Sequence, residues 1–419
     1  MATGYSDRLL NLPRYSELGH KAIRPGVDGV SRLLEAMGNP HHKFASVHVA
    51  GTNGKGSVAS MISAIGQVAG YRTGLYTSPH LLHLSERIRI NGIAVSDQWM
   101  DRALDRYASL FSALQPTFFE AMTALSFLYF SELSVDLAVV ETGLGGRLDA
   151  TNILQPKLSV ITKIDLDHTQ TLGNTLTAIT HEKAGIIKKN TPVIAATGYS
   201  FTQKIAHHVA SSVGAPWIEP GQVINGHLHT HKHVYELPED LRPSGAHQAE
   251  NALLAVQSSE ILFPEILHDP SLVYRGLSKV RELTGLRARL ETLNEFPLTI
   301  LDVAHNPAGI SAALNYVPST GTVYLLLSLM KDKDLAGVAQ ALIRHRSLKI
   351  FLCELALRRA YSTTQIADTF RQSALDVAGS GPVATMWNDV QSQATKSDTI
   401  LICGSHFLAE AFLKVYSHY

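Results

Sequence analysis

Short apolar runs alternate with helical patterns along most of the chain. The strand-like runs of the first part are "SVHVA", "RTGLYT", "VDLAVVET", "LSVITKI" and "TPVIAA". Between them, "SVASMISAIGQVAG", "SDQWMDRALDRYASLFSAL" and "FEAMTALSFLYFSEL" carry helical spacing. This alternation predicts a mostly parallel α/β sheet with helices on both faces. The pattern changes over residues 217–245, where short alternating runs and turn residues predict a small β element. A helix follows in "HQAENALLAVQSSEILF". After "GLSKVRELTGLRARLETL" the α/β alternation restarts with "LTILDVA", "TVYLLLSL", "KIFLCEL", "VATMW" and "TILICGS". The restart places a domain boundary near residue 284, with a second α/β domain beyond it. No internal repeat, low-complexity tract or long charge run interrupts this order.

The first candidate chemistry lies where "FASVHVA" runs into "GTNGKGS". Three glycines, a lysine and a serine stand between a buried strand and a helix. A tight turn would explain the glycines alone. A phosphate cradle explains all five residues, because backbone N–H groups and a helix N-terminus there face an anion. The usual spelling is G-x-x-x-x-G-K-[ST], and here Gly56 separates Lys55 from Ser57, so the loop is a variant. Its parts remain in place. Glycines allow close backbone approach, Lys55 supplies a point charge, and the Ser57 hydroxyl can reach Mg²⁺.

Ligands of open α/β sheets gather at the carboxyl ends of strands, and more polar residues fall there. "VDLAVVETGLGGRLDATN" ends a buried strand at Glu141 and continues to Asp149 and Asn152. A carboxylate at the tip of an apolar strand requires a cation, either at the phosphate loop or in Arg147. "LSVITKIDLDHTQTLG" repeats the arrangement with Asp165, Asp167 and His168. His168 reads either as a metal ligand or as plain surface. Lys183 in "THEKAGIIK" sits amid apolar neighbours, and by itself reads as a snorkelling surface lysine. Asp302, His305 and Asn306 follow the strand of "LTILDVAHNPAG", where ribose and phosphate contacts are made. Arg289 in "GLRARLE" is a finger on transferred phosphate or a surface charge.

Composition narrows the partners. Lys+Arg and Asp+Glu both number 36 in 419 residues, so no global field favours nucleic acid or a membrane surface. The start lacks a basic, apolar leader pattern, and no apolar run reaches the roughly 18 residues that span a bilayer. The two cysteines, Cys353 and Cys403, lie in apolar strand-like segments and read as small buried hydrophobes of a reducing cytoplasm.

Seven segments, "HVAGTNGKGS", "YTSPHL", "VETGLGGRLDATN", "ITKIDLDHTQTLG", "HEKAGIIK", "HQAENALLA" and "LDVAHNPAG", occur in the order and spacing of one family. Over nearly its whole length the chain resembles the folylpolyglutamate synthase/dihydrofolate synthase family of the Mur-ligase group, in particular its bacterial bifunctional members. The resemblance implies an N-terminal P-loop-type, mostly parallel sheet domain with a small β element, residues 1–284, which binds ATP and carries pterin-binding loops. It implies a Rossmann-like C-terminal ligase domain over residues 285–419. The phosphate loop then comprises Gly54, Lys55, Gly56 and Ser57. Mg²⁺ ligands fall on Ser78, Glu141 and His168, and a carbamylated lysine on Lys183, which would hold a second Mg²⁺. ATP contacts fall on Asn251, Arg289 and Asp302, with His305 beside the transferred phosphate. Pterin contacts fall on Thr117, Phe118, Phe119 and Glu120, on Leu148, Asp149 and Ala150, and on the early loop "IRPG".

Two departures from the family pattern stand out. Arg287-Ala288 replaces the usual Pro-Gly before Arg289, which makes Arg287 a rival for the phosphate role. Arg24-Pro25 stands where many bacterial members carry an acidic residue. The implied reaction is phosphorylation of a pteroate carboxylate by ATP, followed by attack of the amine of L-glutamate on the acyl phosphate. Dihydropteroate, reduced folates, L-glutamate and ATP are the expected small-molecule partners of a cytoplasmic monomer. The competing readings are a nucleotide-dependent switch, a ligase with one of the two activities, and a Mur ligase acting on a peptidoglycan precursor.

Overall fold

The computed structural model describes residues 4–14, 24, 26–241, 245–318, 320–345 and 347–416. The chain divides into two compact units, Met1–Arg242 with Ala246–Leu286, and Pro243–Gly245 with Arg287–Tyr419.

The first unit is built on an eight-stranded sheet. Its strands are β1 (Ala45–Ala50), β2 (Thr73–Tyr76), β3 (Ile88–Ile90), β4 (Ile93–Ala94), β5 (Leu137–Glu141), β6 (Leu158–Ile161), β7 (Val193–Ala195) and β8 (Trp217–Ile218), in the order β4-β3-β2-β5-β1-β6-β7-β8. The pairs from β2 to β8 are parallel, while β3 and β4 form an antiparallel ribbon at one edge. Both sheet faces are covered, which is why the central strands read as continuous apolar runs. Val47, Val49 and Val139 pack with the helices Lys55–Val68 and Gly245–Leu262 on one side. Ala138, Val140 and Tyr76 pack with the helix Phe118–Glu132 on the other. The small β element is the antiparallel meander β9 (Gln222–Ile224), β10 (His227–His229) and β11 (Val234–Glu236). It begins later than the sequence pattern indicates, because Trp217–Ile218 joins the main sheet beside β7. The stretch 96–114 is two helices, Asp97–Arg106 and Ala108–Leu114, meeting at Tyr107.

The second unit holds a six-stranded sheet, β12 (Glu291–Glu295), β13 (Leu298–Leu301), β14 (Val323–Leu327), β15 (Leu348–Glu354), β16 (Val377–Pro382) and β17 (Thr399–Cys403), ordered β12-β13-β17-β14-β15-β16. Only β12 is antiparallel to its neighbour. One expected strand is a helix. "VATMW" opens the helix Val383–Gln393, with Val383, Met386, Trp387 and Val390 buried at helical spacing. The strand that pairs with β15 is instead "VAGSGP". Cys353 and Cys403 are buried and free, and burial pushes the Cys353 thiol up to about 12. No helix among the described residues is long and apolar enough to cross a membrane.

Candidate active site

Two adjacent strand ends build the centre of the first unit. β1 runs into the glycine loop, and β5 ends at Glu141, whose register partner on β1 is Val49. A Cβ on Gly51 would lie 1.8 Å from Thr162 Oγ1, so only glycine fits against the end of β6. The Thr162 hydroxyl donates to Asn53 O at 2.7 Å, and the Lys163 carbonyl accepts the N–H groups of Thr52 and Asn53. Asn53 Nδ2 donates to Asp165 Oδ2 at 2.7 Å, and Tyr199 donates its hydroxyl to the other oxygen at 3.2 Å. Asp165 is thus a strap for the loop. Gly54 takes a left-handed φ of 89° and caps the helix that begins at Lys55. Its missing side chain leaves room for Asn251, whose Oδ1 would lie 2.3 Å from a Cβ there. Gly56 and Ser57 are buried in the first helical turn, whose N–H groups have no intrahelical partner.

Charge gathers beside this loop. Lys55 Nζ stands 3.9 Å from Glu141 Oε1, and the Ser78 N–H donates to Glu141 Oε2 at 3.0 Å. Arg147 pairs with Glu182 at 2.6 Å, so the alternative pairing of Glu141 with Arg147 is not formed. Lys183 is 4% exposed on the helix Leu176–Ala184 and donates to Gly51 O at 2.7 Å. It is a buried amine at the phosphate loop, and the surface-lysine reading fails. His168 takes a left-handed φ of 50° before the short helix Thr169–Leu172, and its Nε2 lies 4.0 Å from Asp167 Oδ2.

On the far side of β5, Thr117 and Glu120 form a reciprocal cap on the helix Phe118–Glu132. Glu120 Oε2 accepts the Thr117 N–H at 2.8 Å and stands 3.8 Å from Arg24 Nη1, while its buried Oε1 has no hydrogen bond. Phe118 packs under Arg87, and Phe119 lies 6.0 Å from the Tyr76 ring. Leu148 is exposed and Ala150 buried. Asp149 accepts the N–H groups of Gly143, Leu144 and Thr151, so its carboxylate shapes its own loop. Ile23 and Pro25 of the early loop lie outside the described residues.

In the second unit, Arg289 lies between two residues with left-handed backbones, Ala288 (φ 54°) and Leu290 (φ 48°). Such angles strain a side-chain-bearing residue and persist only when neighbours enforce them. Two carboxylates do so here. Glu291 accepts the Ala288 N–H at 2.7 Å, and Asp302 Oδ2 accepts the Leu290 N–H at 2.8 Å. Glu291 also pairs with Arg287, which is thereby engaged in holding this turn. Asp302 Oδ1 accepts the Ala304 N–H, and the Val303 N–H donates to Ala288 O, so the Arg289 and His305 segments are tied together. His305 Nδ1 donates to Val303 O at 2.8 Å, which directs the lone pair onto Nε2.

Among the described residues no three His, Cys, Asp or Glu side chains converge as a metal cage. The donors near the loop are instead a buried carboxylate and hydroxyls. That set suits a hard divalent cation whose shell is completed by phosphate oxygens and water.

The Mur ligase middle domain family matches residues 49–258, and the Mur ligase, glutamate ligase domain family matches residues 288–406. A dihydrofolate synthase/folylpolyglutamate synthase of Bacillus subtilis is 36% identical over 343 residues, covering 76% of this chain and 79% of that protein. The chain belongs to the folylpolyglutamate synthase/dihydrofolate synthase family. Solved members of this family share the whole architecture. Escherichia coli FolC in complex with DHPP and ADP covers 100% of this chain and 98% of its own, at 26% identity and a TM-score of 0.86. A bifunctional folylpolyglutamate synthase/dihydrofolate synthase with Mn, AMPPNP and L-glutamate bound covers 100% and 99%, at 28% identity and a TM-score of 0.84. The family motifs were visible in the sequence. Arg87, which flanks the site, lies in none of the seven segments, and only its place after "TSPH" marks it; Thr162 and Asp165 lie within "ITKIDLDHTQTLG", where Asp165 reads as a polar residue past a strand end and Thr162 is not singled out.

Proposed function

We propose that the protein is an ATP-dependent ligase that joins L-glutamate to dihydropteroate and to reduced folates through an acyl phosphate. The observation that carries this reading is the meeting of Lys55, Ser78 and Glu141 where β1 and β5 end side by side. Family membership over the full length supplies the substrates. The loop N–H groups and Lys55 hold the phosphates of ATP, with Asn251, Arg289 and Asp302 serving the rest of the nucleotide. Lys55 offsets charge on the phosphoryl group as it leaves ADP for the substrate carboxylate. The glutamate amine then attacks the acyl carbon, and phosphate departs with the electrons of the C–O bond. By the family pattern, His305 serves the transferred phosphoryl group.

Mg²⁺, as two ions, fits the oxygen-rich donors Ser78 and Glu141 with His168 and a carbamylated Lys183, and when bound it neutralises charge on the β- and γ-phosphates. The burial of Lys183 supports carbamylation, because desolvation favours the neutral amine that reacts with CO₂. Thr117, Phe118, Phe119, Glu120, Leu148, Asp149 and Ala150 shape the pterin side. Residues 1–284 act as the ATP and pterin domain and residues 285–419 as the ligase domain of a cytoplasmic monomer.

The test is ADP release by purified protein with Mg²⁺, using dihydropteroate or tetrahydrofolate as acceptor. Release that requires both the acceptor and glutamate supports the ligase, and use of both acceptors supports two activities. Release independent of both would make the protein a nucleotide switch and overturn the proposal.

A further inference from the structure

Asp165, past the end of β6, joins the ends of the two strands beside it. Its N–H donates to Thr52 Oγ1 and its carbonyl accepts the same hydroxyl, both at 3.1 Å, just beyond β1. The preceding residue, Ile164, donates its N–H to Thr197 O at 3.1 Å, just beyond β7. The residue is 4% exposed, and its carboxylate takes Asn53 Nδ2 on one oxygen and the Tyr199 hydroxyl on the other. Among the described residues no cation forms an ion pair with it. Both donors are neutral, so the carboxylate is held by hydrogen bonds, which fix an angle as well as a distance.

Tyr199 is the outer half of this arrangement. Gly198 before it has a left-handed φ of 86° and lies against Lys163, whose Cγ would stand 3.1 Å from a Cβ there. The Tyr199 ring is half-exposed, and its hydroxyl reaches back to Asp165. On the inner side, His168 follows Asp165 by only three residues. Asp167 Oδ1 accepts the His168 N–H at 2.8 Å, and His168 turns directly into the helix Thr169–Leu172. A shift of Asp165 is therefore carried along this short segment to His168. The same shift is carried to Asn53, because the phosphate loop hangs on the same carboxylate.

We infer that Asp165, backed by Tyr199, is a positioning residue that holds the phosphate loop and the His168 imidazole in one frame for a divalent cation bound with the nucleotide. This rests on the ligase reading above, in which His168 holds Mg²⁺. Mg²⁺ demands near-ideal ligand geometry, so an error in the relative placement of loop and imidazole is felt as lost metal affinity. Asp165 acts through Asn53 on one side and through the His168 segment on the other.

Calorimetric titration of AMPPNP, with and without Mg²⁺, into wild type, Tyr199→Phe, Asp165→Asn and Asp165→Ala separates two effects. The metal-free affinity reads the loop, and the gain on adding Mg²⁺ reads the register of loop and imidazole. Partners that orient a metal ligand carry about 10–100-fold of metal affinity, so Mg²⁺ should tighten wild-type binding by about tenfold or more and Asp165→Ala should lose about tenfold of that gain. Tyr199→Phe removes one hydrogen bond from a half-exposed ring and should lose about threefold of the gain; it carries the test if Asp165→Ala does not fold. Asp165→Asn keeps the shape and an acceptor for the Tyr199 hydroxyl, and should recover more than half of what Asp165→Ala loses. A full Mg²⁺ gain in Asp165→Ala, or in Tyr199→Phe where only that variant folds, makes Asp165 a strap of the loop alone and overturns the inference. So does an Asp165→Asn variant that recovers nothing. A wild type whose AMPPNP affinity ignores Mg²⁺ refutes the metal assignment of the ligase reading itself.

Discussion

Gly51 offers a test of how tightly the phosphate loop is held. The Cβ of Gly51→Ala would stand 1.8 Å from Thr162 Oγ1, 3.0 Å from Thr162 Cβ and 3.2 Å from its backbone carbonyl carbon. The hydroxyl would have to rotate away, and with it goes the bond to Asn53 O. Overpacking costs about 1–3 kcal/mol and a lost hydrogen bond about 1 kcal/mol, so the loop should be destabilised by about 2–4 kcal/mol. Thr162→Ala alone removes the bond and a small group, at about 1–2 kcal/mol. In the double variant the worst contact is gone while the one to Cβ remains, so the two effects should fall short of their sum by about 1–2 kcal/mol. Hydrogen exchange of peptides spanning β1 and the following helix reads the local stability, and calorimetric titration with ADP reads the loop geometry. Additive effects, or an unaltered ADP affinity in Gly51→Ala, would show that the loop yields easily and that its straps are incidental.

Three further outcomes are expected. Lys183→Ala should be nearly inactive and regain part of its turnover with added formate, while wild-type protein under CO₂ should show a labile added carboxyl group by mass; a normal rate in the variant would make the buried amine purely structural. His48 is wholly buried in β1, bonded to Thr151 Oγ1, and burial first and the Lys188 charge second pull its pKa down to about 3. The unfolded chain binds a proton near pH 6.5 that the fold does not, so stability is lost as pH falls below 6.5, by about 2 kcal/mol between pH 7 and 5. His48→Gln should remove that part of the acid limb in urea titrations, and an unchanged pH slope would contradict the assignment. Asp302→Asn replaces one of two acceptor oxygens with a donor that faces a backbone N–H, at a cost of about 1–3 kcal/mol. Exchange protection over residues 288–304 should fall while β1 is unaffected; equal protection would mean the Arg289 turn is held by Glu291 alone.

The parts of the molecule legible in the sequence are those where one physical demand dominates. β1, β5 and β6 are covered on both faces, so each reads as an apolar run, and each ends at the polar residues of the candidate site. The glycine loop was visible because close backbone approach excludes every other residue type. Elsewhere two demands compete. "VATMW" is short and apolar enough for either element, and burial at four helical positions decided for helix. "VAGSGP" holds a single strand former, Val377, yet Gly379 packs against the Phe351 ring at the sheet edge, where a side chain would not fit. The fate of Lys183 was hidden for a similar reason. Its neighbours in sequence describe a helix, whereas its burial depends on Gly51, far away along the chain.

The strand order also bears on how this molecule comes into being. β5 lies between β1 and β2, although both are synthesised before it. Until residues 137–141 emerge and insert, β1 and β2 each present a bare edge to any strand nearby, including each other. The glycine loop therefore exists for nearly ninety residues of synthesis without Glu141, roughly the interval from residue 54 to residue 141. Ribosome-bound chains ending before β5 should require protection from mispairing, and nucleotide affinity should appear only once β5 and then β6, whose following residues strap the loop, have inserted.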